Sequence, residues 1–169
     1  MEHKEYRLAA IMYTDICGFS RMMEKDEDTT LELLTFHNKL IHNLVDELHG
    51  AVIKTIGDAF LASFHNTFDA VKCAVQVQHE LASYNSTRQG MRLILRIGIH
   101  LGDIYFFEND ALGEGINIAS RLQACTKPGR ICVSKEVYNM IANKLDLQIQ
   151  PLGKVQLKNI TRDIHAYEI

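Results

Sequence analysis

Residues 51–56 and 59–64 are two short apolar runs joined by Gly57-Asp58. Glycine supplies the positive φ that a tight hairpin turn needs, so this stretch predicts two antiparallel strands near the middle of the chain. Only Lys54 and Asp58 interrupt it with charge. Taken alone, Asp58 is a turn aspartate or a metal ligand, and the turn role is the commoner of the two. A second carboxylate changes the balance: Asp15 closes another apolar run, residues 6–16, which predicts a buried central strand.

The segments around these two runs follow helical and strand periods in turn. Gly18 and Ser20 suit a loop that opens a helix, with Ser20 as its cap. A polar link over residues 24–28 leads to a helix that Thr29 or Thr30 would cap. It runs to about His49, with Leu33, Leu34, Leu40, Ile41, Leu44, Val45 and Leu48 at helical spacing and Gly50 at its C-terminal end. Asn66 caps a helix over residues 67–84, and residues 85–90 form a loop. Residues 92–101 predict a strand, and residues 103–107 another after Gly102. Residues 108–114 read as a polar connection carrying Asp110. A helix over 115–124, a turn at Pro128-Gly129 and a short strand at 131–133 come next. Ser134 caps a helix to about Ala142, and short strands are expected around Leu147 and Ala166.

This order predicts an α+β fold. It is a ferredoxin-like split β-α-β plan, with a mixed, mostly antiparallel sheet and helices on one face. At 169 residues the chain reads as a single domain, residues 1–169, with no internal repeat or linker. A net charge of −3 argues against a dedicated nucleic-acid binder, which would show a basic face. The four cysteines include no C-x-x-C pair, and the eight histidines show no metal-binding spacing. Scattered thiols, the absence of a signal sequence and of a span-length apolar run together point to a cytoplasmic domain without a membrane segment.

In the split plan the end of the first strand and the tip of the hairpin can lie side by side. Asp15 and Asp58 would then repel unless a proton or a cation sat between them. Paired hard oxygen ligands suit Mg²⁺ or Mn²⁺, above all when phosphate oxygens complete the shell. Farther along, Asn117 and Arg121 lie one turn apart on the polar side of the 115–124 helix. That side is either a solvated face or a phosphate-reading one.

Five motifs then resemble the catalytic domain of class III nucleotidyl cyclases, the adenylate and guanylate cyclases. They are Tyr13-Thr-Asp15-Ile-Cys-Gly18-Phe19-Ser20, Lys54-Thr-Ile-Gly57-Asp58, Arg96-Ile-Gly98-Ile-His, Asp110-Ala-Leu-Gly113 and Asn117-Ile-Ala-Ser-Arg121, in the family's order. Each alone is weak, and five in register are specific. The resemblance implies two metal-binding aspartates at Asp15 and Asp58, with the Ile16 carbonyl as a further ligand. It implies a base-reading pair at Lys54 and Asp110 and a transition-state pair at Asn117 and Arg121. Lys158 would contact the terminal phosphates.

It further implies two divalent cations, Mg²⁺ or Mn²⁺, and a homodimer with two shared active sites. A regulatory domain in a longer parent protein is also expected. A lysine donor and a carboxylate acceptor complement adenine N1 and N6 and mismatch guanine, so ATP is the expected substrate. The expected activity is adenylate cyclase, ATP to 3′,5′-cyclic AMP and pyrophosphate, in intracellular signalling. The alternatives are a guanylate cyclase, a catalytically weak nucleotide-binding regulatory domain of the same fold, and, more remotely, a diguanylate cyclase.

Overall fold

The computed structural model describes residues 4–169. β1 (Lys4–Ile16) leads through Gly18 into α1 (Phe19–Lys25) and α2 (Glu27–Glu47). The hairpin β2 (Gly50–Ile56) and β3 (Ala59–Phe64) follows, then α3 (Thr67–Ser86), β4 (Leu95–Phe107), β5 (Asp110–Leu112) and α4 (Glu114–Cys125). The chain closes with β6 (Ile131–Ser134), α5 (Lys135–Ile141), β7 (Gln150–Val155) and β8 (Ile164–Glu168). The strands form one sheet in the order β2-β3-β1-β4-β6-β8-β7, with β5 paired to β4. Among the described residues only β4 and β6 run parallel, and every other pair is antiparallel. The order β2-β3-β1-β4 is the expected split β-α-β core.

Alternation along the central strands divides the core in two. Ala10, Met12, Phe60, Ala62 and Phe64 point to the side covered by α2, α3 and α5. Ala9, Ile11 and Leu61 point to the opposite side, where they pack on Ala119 and Ile116 of α4. The helices therefore lie on both faces of the sheet, not on the single face that the split plan predicts. The apolar stripe of α4 fixes which of its sides is buried, but says nothing about which side of the sheet receives it.

Two backbone features set α4 and the hairpin in place. A Cβ on Gly98 would collide with the Ala119 carbonyl oxygen and the Gln123 nitrogen, so a glycine in β4 lets α4 lie directly on the sheet. In β2 the pairing slips between Val52 and Lys54, so Lys54, and not Ile53, stands opposite Leu61. This bulge puts both Ile53 and Lys54 on the α4 side of the sheet.

Other boundaries differ from expectation for local reasons. Asp26 caps α2: its side chain accepts from the Thr29 N–H, and neither Thr29 nor Thr30 is the cap. Ser20 lies inside α1, whose entry residue is Gly18 at φ 69°. The left-handed residue after α2 is His49, at φ 61°, and Gly50 already belongs to β2. Ser134 does stand at the N-cap position of α5, but its hydroxyl meets His100 Nδ1 at 2.8 Å and makes no capping bond. Asn66 caps α3 as expected, accepting from the Asp69 N–H. β4 runs unbroken through Gly102, because β1 pairs with it residue by residue from Leu95 to Phe107. The 108–114 connection contains the short strand β5, and β7 starts at Gln150, beyond Leu147.

Candidate active site

The last residues of β1 and the β2–β3 turn converge as the split plan requires. The Asp15 and Asp58 carboxyls hydrogen-bond to each other. The Ile16 N–H donates to Asp58 Oδ2 at 2.9 Å, so the hairpin tip is tied to the end of β1 by its own aspartate. Burial, then the neighbouring Asp58 carboxylate, pushes the Asp15 carboxyl up to about 7. Two acids sharing a proton are the signature of an oxygen pair that lacks its countercharge. The donor set therefore fits a hard divalent cation, with remaining ligands from backbone or substrate oxygens. Among the described residues, no group of three or more His, Cys, Asp or Glu side chains could enclose a metal by itself.

Arg96 faces Asp15 across the β1–β4 ladder. Its charge opposes the rise in the Asp15 pKa, and the Cys17 thiol hydrogen-bonds to it. Its Nε is enclosed without a protein partner. A guanidinium with an unmatched donor is chemically suited to an anion. The sequence alone assigns Arg96 no role. The signal was its place one strand over from Asp15, which only a register could supply.

Lys54 and Asp110 meet, Nζ to Oδ1, at 2.6 Å. The Lys54 ammonium and the Ala111 N–H, which donates at 2.7 Å, hold the Asp110 carboxyl below the usual carboxylate range. Tyr13 precedes Asp15 by two residues on β1. Its phenol hydrogen-bonds to Ser120 of α4 and senses the charges of Asp15, Asp58 and Lys54; burial raises its pKa. The sequence alone assigns Tyr13 no role either.

On α4, Ser120 is flanked in sequence by the turn that carries Asn117 and Arg121. Asn117 is exposed and Arg121 half-buried, and neither has a side-chain partner among the described residues. Among the described residues, no hydrogen bond or ion pair joins them to Asp15 or Asp58. Lys158 stands apart, exposed on the β7–β8 loop and anchored by buried Leu157 beside it. Within one chain, then, the acids form one group and Lys54 with Asp110 another, while Asn117, Arg121 and Lys158 project separately. No helix among the described residues is long and apolar enough to cross a membrane.

The family model described as the adenylate and guanylate cyclase catalytic domain matches residues 1–169. A Rhizobium meliloti (strain 1021) protein named provisionally as adenylate cyclase 3 is 35% identical over 163 residues, covering 95% of this chain and 28% of its own length. The crystal structure of an adenylate/guanylate cyclase/hydrolase from Silicibacter pomeroyi is 34% identical, with a TM-score of 0.91 and 98% of each chain covered. The adenylyl cyclase CyaB from P. aeruginosa shares the fold at a TM-score of 0.87 and 19% identity, over 98% of this chain and 95% of its own. The chain spans little more than a quarter of the Rhizobium relative.

Proposed function

The chain belongs to the adenylate and guanylate cyclase catalytic-domain family, and from that premise we propose that it is an adenylate cyclase. It would convert ATP to 3′,5′-cyclic AMP and pyrophosphate at sites shared between two copies of the chain. The observation that carries the choice of ATP is the Lys54–Asp110 pair. An ammonium donor and a carboxylate acceptor, already side by side, match the N1 acceptor and N6 amino group of adenine. Against guanine the same two groups would meet donor with donor and acceptor with acceptor.

Asp15 and Asp58, with the Ile16 carbonyl, would hold two divalent cations, Mg²⁺ or Mn²⁺. Bound there, such ions supply acidification of the ribose 3′-hydroxyl and a clamp on the triphosphate. The 3′-oxygen attacks the α-phosphorus, its proton leaves to solvent or a phosphate oxygen, and the bond to the pyrophosphate oxygen breaks. Arg121 of the partner copy offsets negative charge growing on the α-phosphoryl oxygens and leaving group. Asn117 of the same helix turn orients the ribose. Arg96 and Lys158 take the outer phosphates, one from beside the acids and one from the exposed β7–β8 loop. Tyr13 spaces the strand end from α4 through Ser120.

Two copies related by a two-fold axis would form two equivalent sites, each drawing its acids from one chain and Asn117 and Arg121 from the other. The whole parent protein would carry a regulatory region that sets the rate of this domain. The direct test is incubation with ATP or GTP in the presence of Mn²⁺ or Mg²⁺, with the product identified by mass and chromatography. Cyclic AMP is expected. Cyclic GMP alone would reverse the reading of Lys54 and Asp110, and no cyclic product from a folded dimer would remove the catalytic reading.

A further inference from the structure

Thr14 and His37 are polar residues set into two apolar stripes of one core. On β1, Thr14 lies between Met12 and Ile16; on α2, His37 lies one turn from both Leu33 and Ile41. These four apolar neighbours belong to the same buried cluster. Thr14 and His37 are themselves wholly excluded from solvent, at 0% exposure each.

Both residues border Phe60. Thr14 stands directly opposite it in the β1–β3 register. The His37 ring meets it edge-on, with centroids 5.4 Å apart and an interplanar angle of 74°. Thr14 Oγ1 and His37 Nε2 are both enclosed without a protein partner. His37 Nδ1 lies 2.9 Å from Asn38 Oδ1, an acceptor, so the ring proton sits on Nδ1 and Nε2 presents a lone pair. Burial lowers the His37 pKa, in keeping with a neutral ring.

Valine and leucine would complete these stripes at no polar cost. A hydroxyl and a ring nitrogen, enclosed beside one phenyl ring, form a complementary set for one water, which can donate to Nε2 and exchange a hydrogen bond with Oγ1. We propose that a single buried water links Thr14 Oγ1 to His37 Nε2, and that this link positions the ends of β1 and β3 that carry Asp15 and Asp58. Thr14 immediately precedes Asp15, and Phe60 lies two residues beyond Asp58, so α2 is tied to both strand ends at one point. Thr14 and His37 are positioning residues and touch no reacting atom. The positioning half rests on the reading of Asp15 and Asp58 as the cation-holding pair; the link itself does not.

The test uses the whole chain with Thr14→Val, His37→Leu, the double variant and Thr14→Ser. Each of the first two leaves one polar partner unmatched and lowers the folding equilibrium constant about ten-fold in denaturant unfolding. The double variant removes both and returns to within about three-fold of wild type, in place of the roughly hundred-fold loss that independent sites would give. Thr14→Ser keeps the hydroxyl and stays near wild type. A high-resolution crystal structure shows one water within hydrogen-bond reach of both atoms.

Additive losses, or a Thr14 hydroxyl bonded to the main chain with no such water, overturn the link. For positioning, kcat falls about ten-fold in Thr14→Val and in the double variant while KM for the nucleotide changes less than about two-fold, and Thr14→Ser restores kcat. An unchanged kcat in the stable double variant overturns that half. If the wild-type chain forms no cyclic nucleotide, the active-site reading fails, while the unfolding cycle and the water still uphold or overturn the link.

Discussion

Lys54 Nζ sits 2.6 Å from Asp110 Oδ1, joining the bulged strand β2 to the short strand β5. If this donor and acceptor read the base as proposed, reversing their polarity should reverse the purine. Lys54→Glu with Asp110→Ser should lower kcat/KM for ATP on the order of a hundred-fold and raise it for GTP, because mismatched buried polar groups discriminate strongly. Steady-state kinetics with both nucleotides check this; an unchanged ATP preference would remove the pair from base reading.

The acids at the strand end give the domain a pH signature. Asp15 titrates at about 7 when folded, against an ordinary value near 3.8 when unfolded. The folded state therefore keeps a proton that the unfolded chain has released. The stability this provides is complete below the unfolded value and is lost as pH rises through about 7. Without divalent cations, the Tm of the wild-type chain should fall as pH climbs from about 5 to about 8, and Asp15→Asn should flatten that slope. Thermal melts followed by circular dichroism read it; a wild-type Tm that rises across the window contradicts the shared proton.

Separate placement of Asp15 and Arg121 within one chain leads to a complementation test. Asp15→Ala and Arg121→Ala chains should each lose activity by about a thousand-fold or more, and an equimolar mixture should recover about a quarter of the wild-type rate as heterodimers form with one intact site. Mixed variants that dimerise yet regain nothing would show that each chain works alone.

Gly98 carries α4 on its bare backbone. Gly98→Ala should cost about 1–3 kcal/mol of stability, because the added methyl must push the helix off β4. Since α4 bears Asn117 and Arg121, kcat should fall as well, even at temperatures where the variant remains folded. Denaturant unfolding alongside kinetics measures both; a stable, fully active Gly98→Ala would mean that α4 has slack.

The parts of the site that lie on strong local patterns were legible in the sequence. Asp15 ends an apolar run that reads as a strand and is buried from Ala9 to Met12, Gly57-Asp58 is a turn by composition, and Asn66 is a cap by type. Features set by pairing between distant strands were not legible. Gly102 looks like a break until β1 is laid beside it, and the role of Arg96 appears only when the register puts it across from Asp15. The side of the sheet that α4 takes is likewise invisible in its own periodicity, which marks a buried face without naming what buries it. His49 in place of Gly50 shows the same limit at smaller scale, since the strand pairing of β2 claims the glycine first.

The slip between Val52 and Lys54 decides the company that Lys54 keeps. Counted outward from the Gly57-Asp58 turn, Lys54 falls opposite Leu61 with or without it, but on a regular ladder Ile53 would pair with Ala62 and leave for the layer beneath α2. The extra residue therefore sets an apolar side chain next to the ammonium on the face that α4 covers, and it does so without moving the aspartate at the tip.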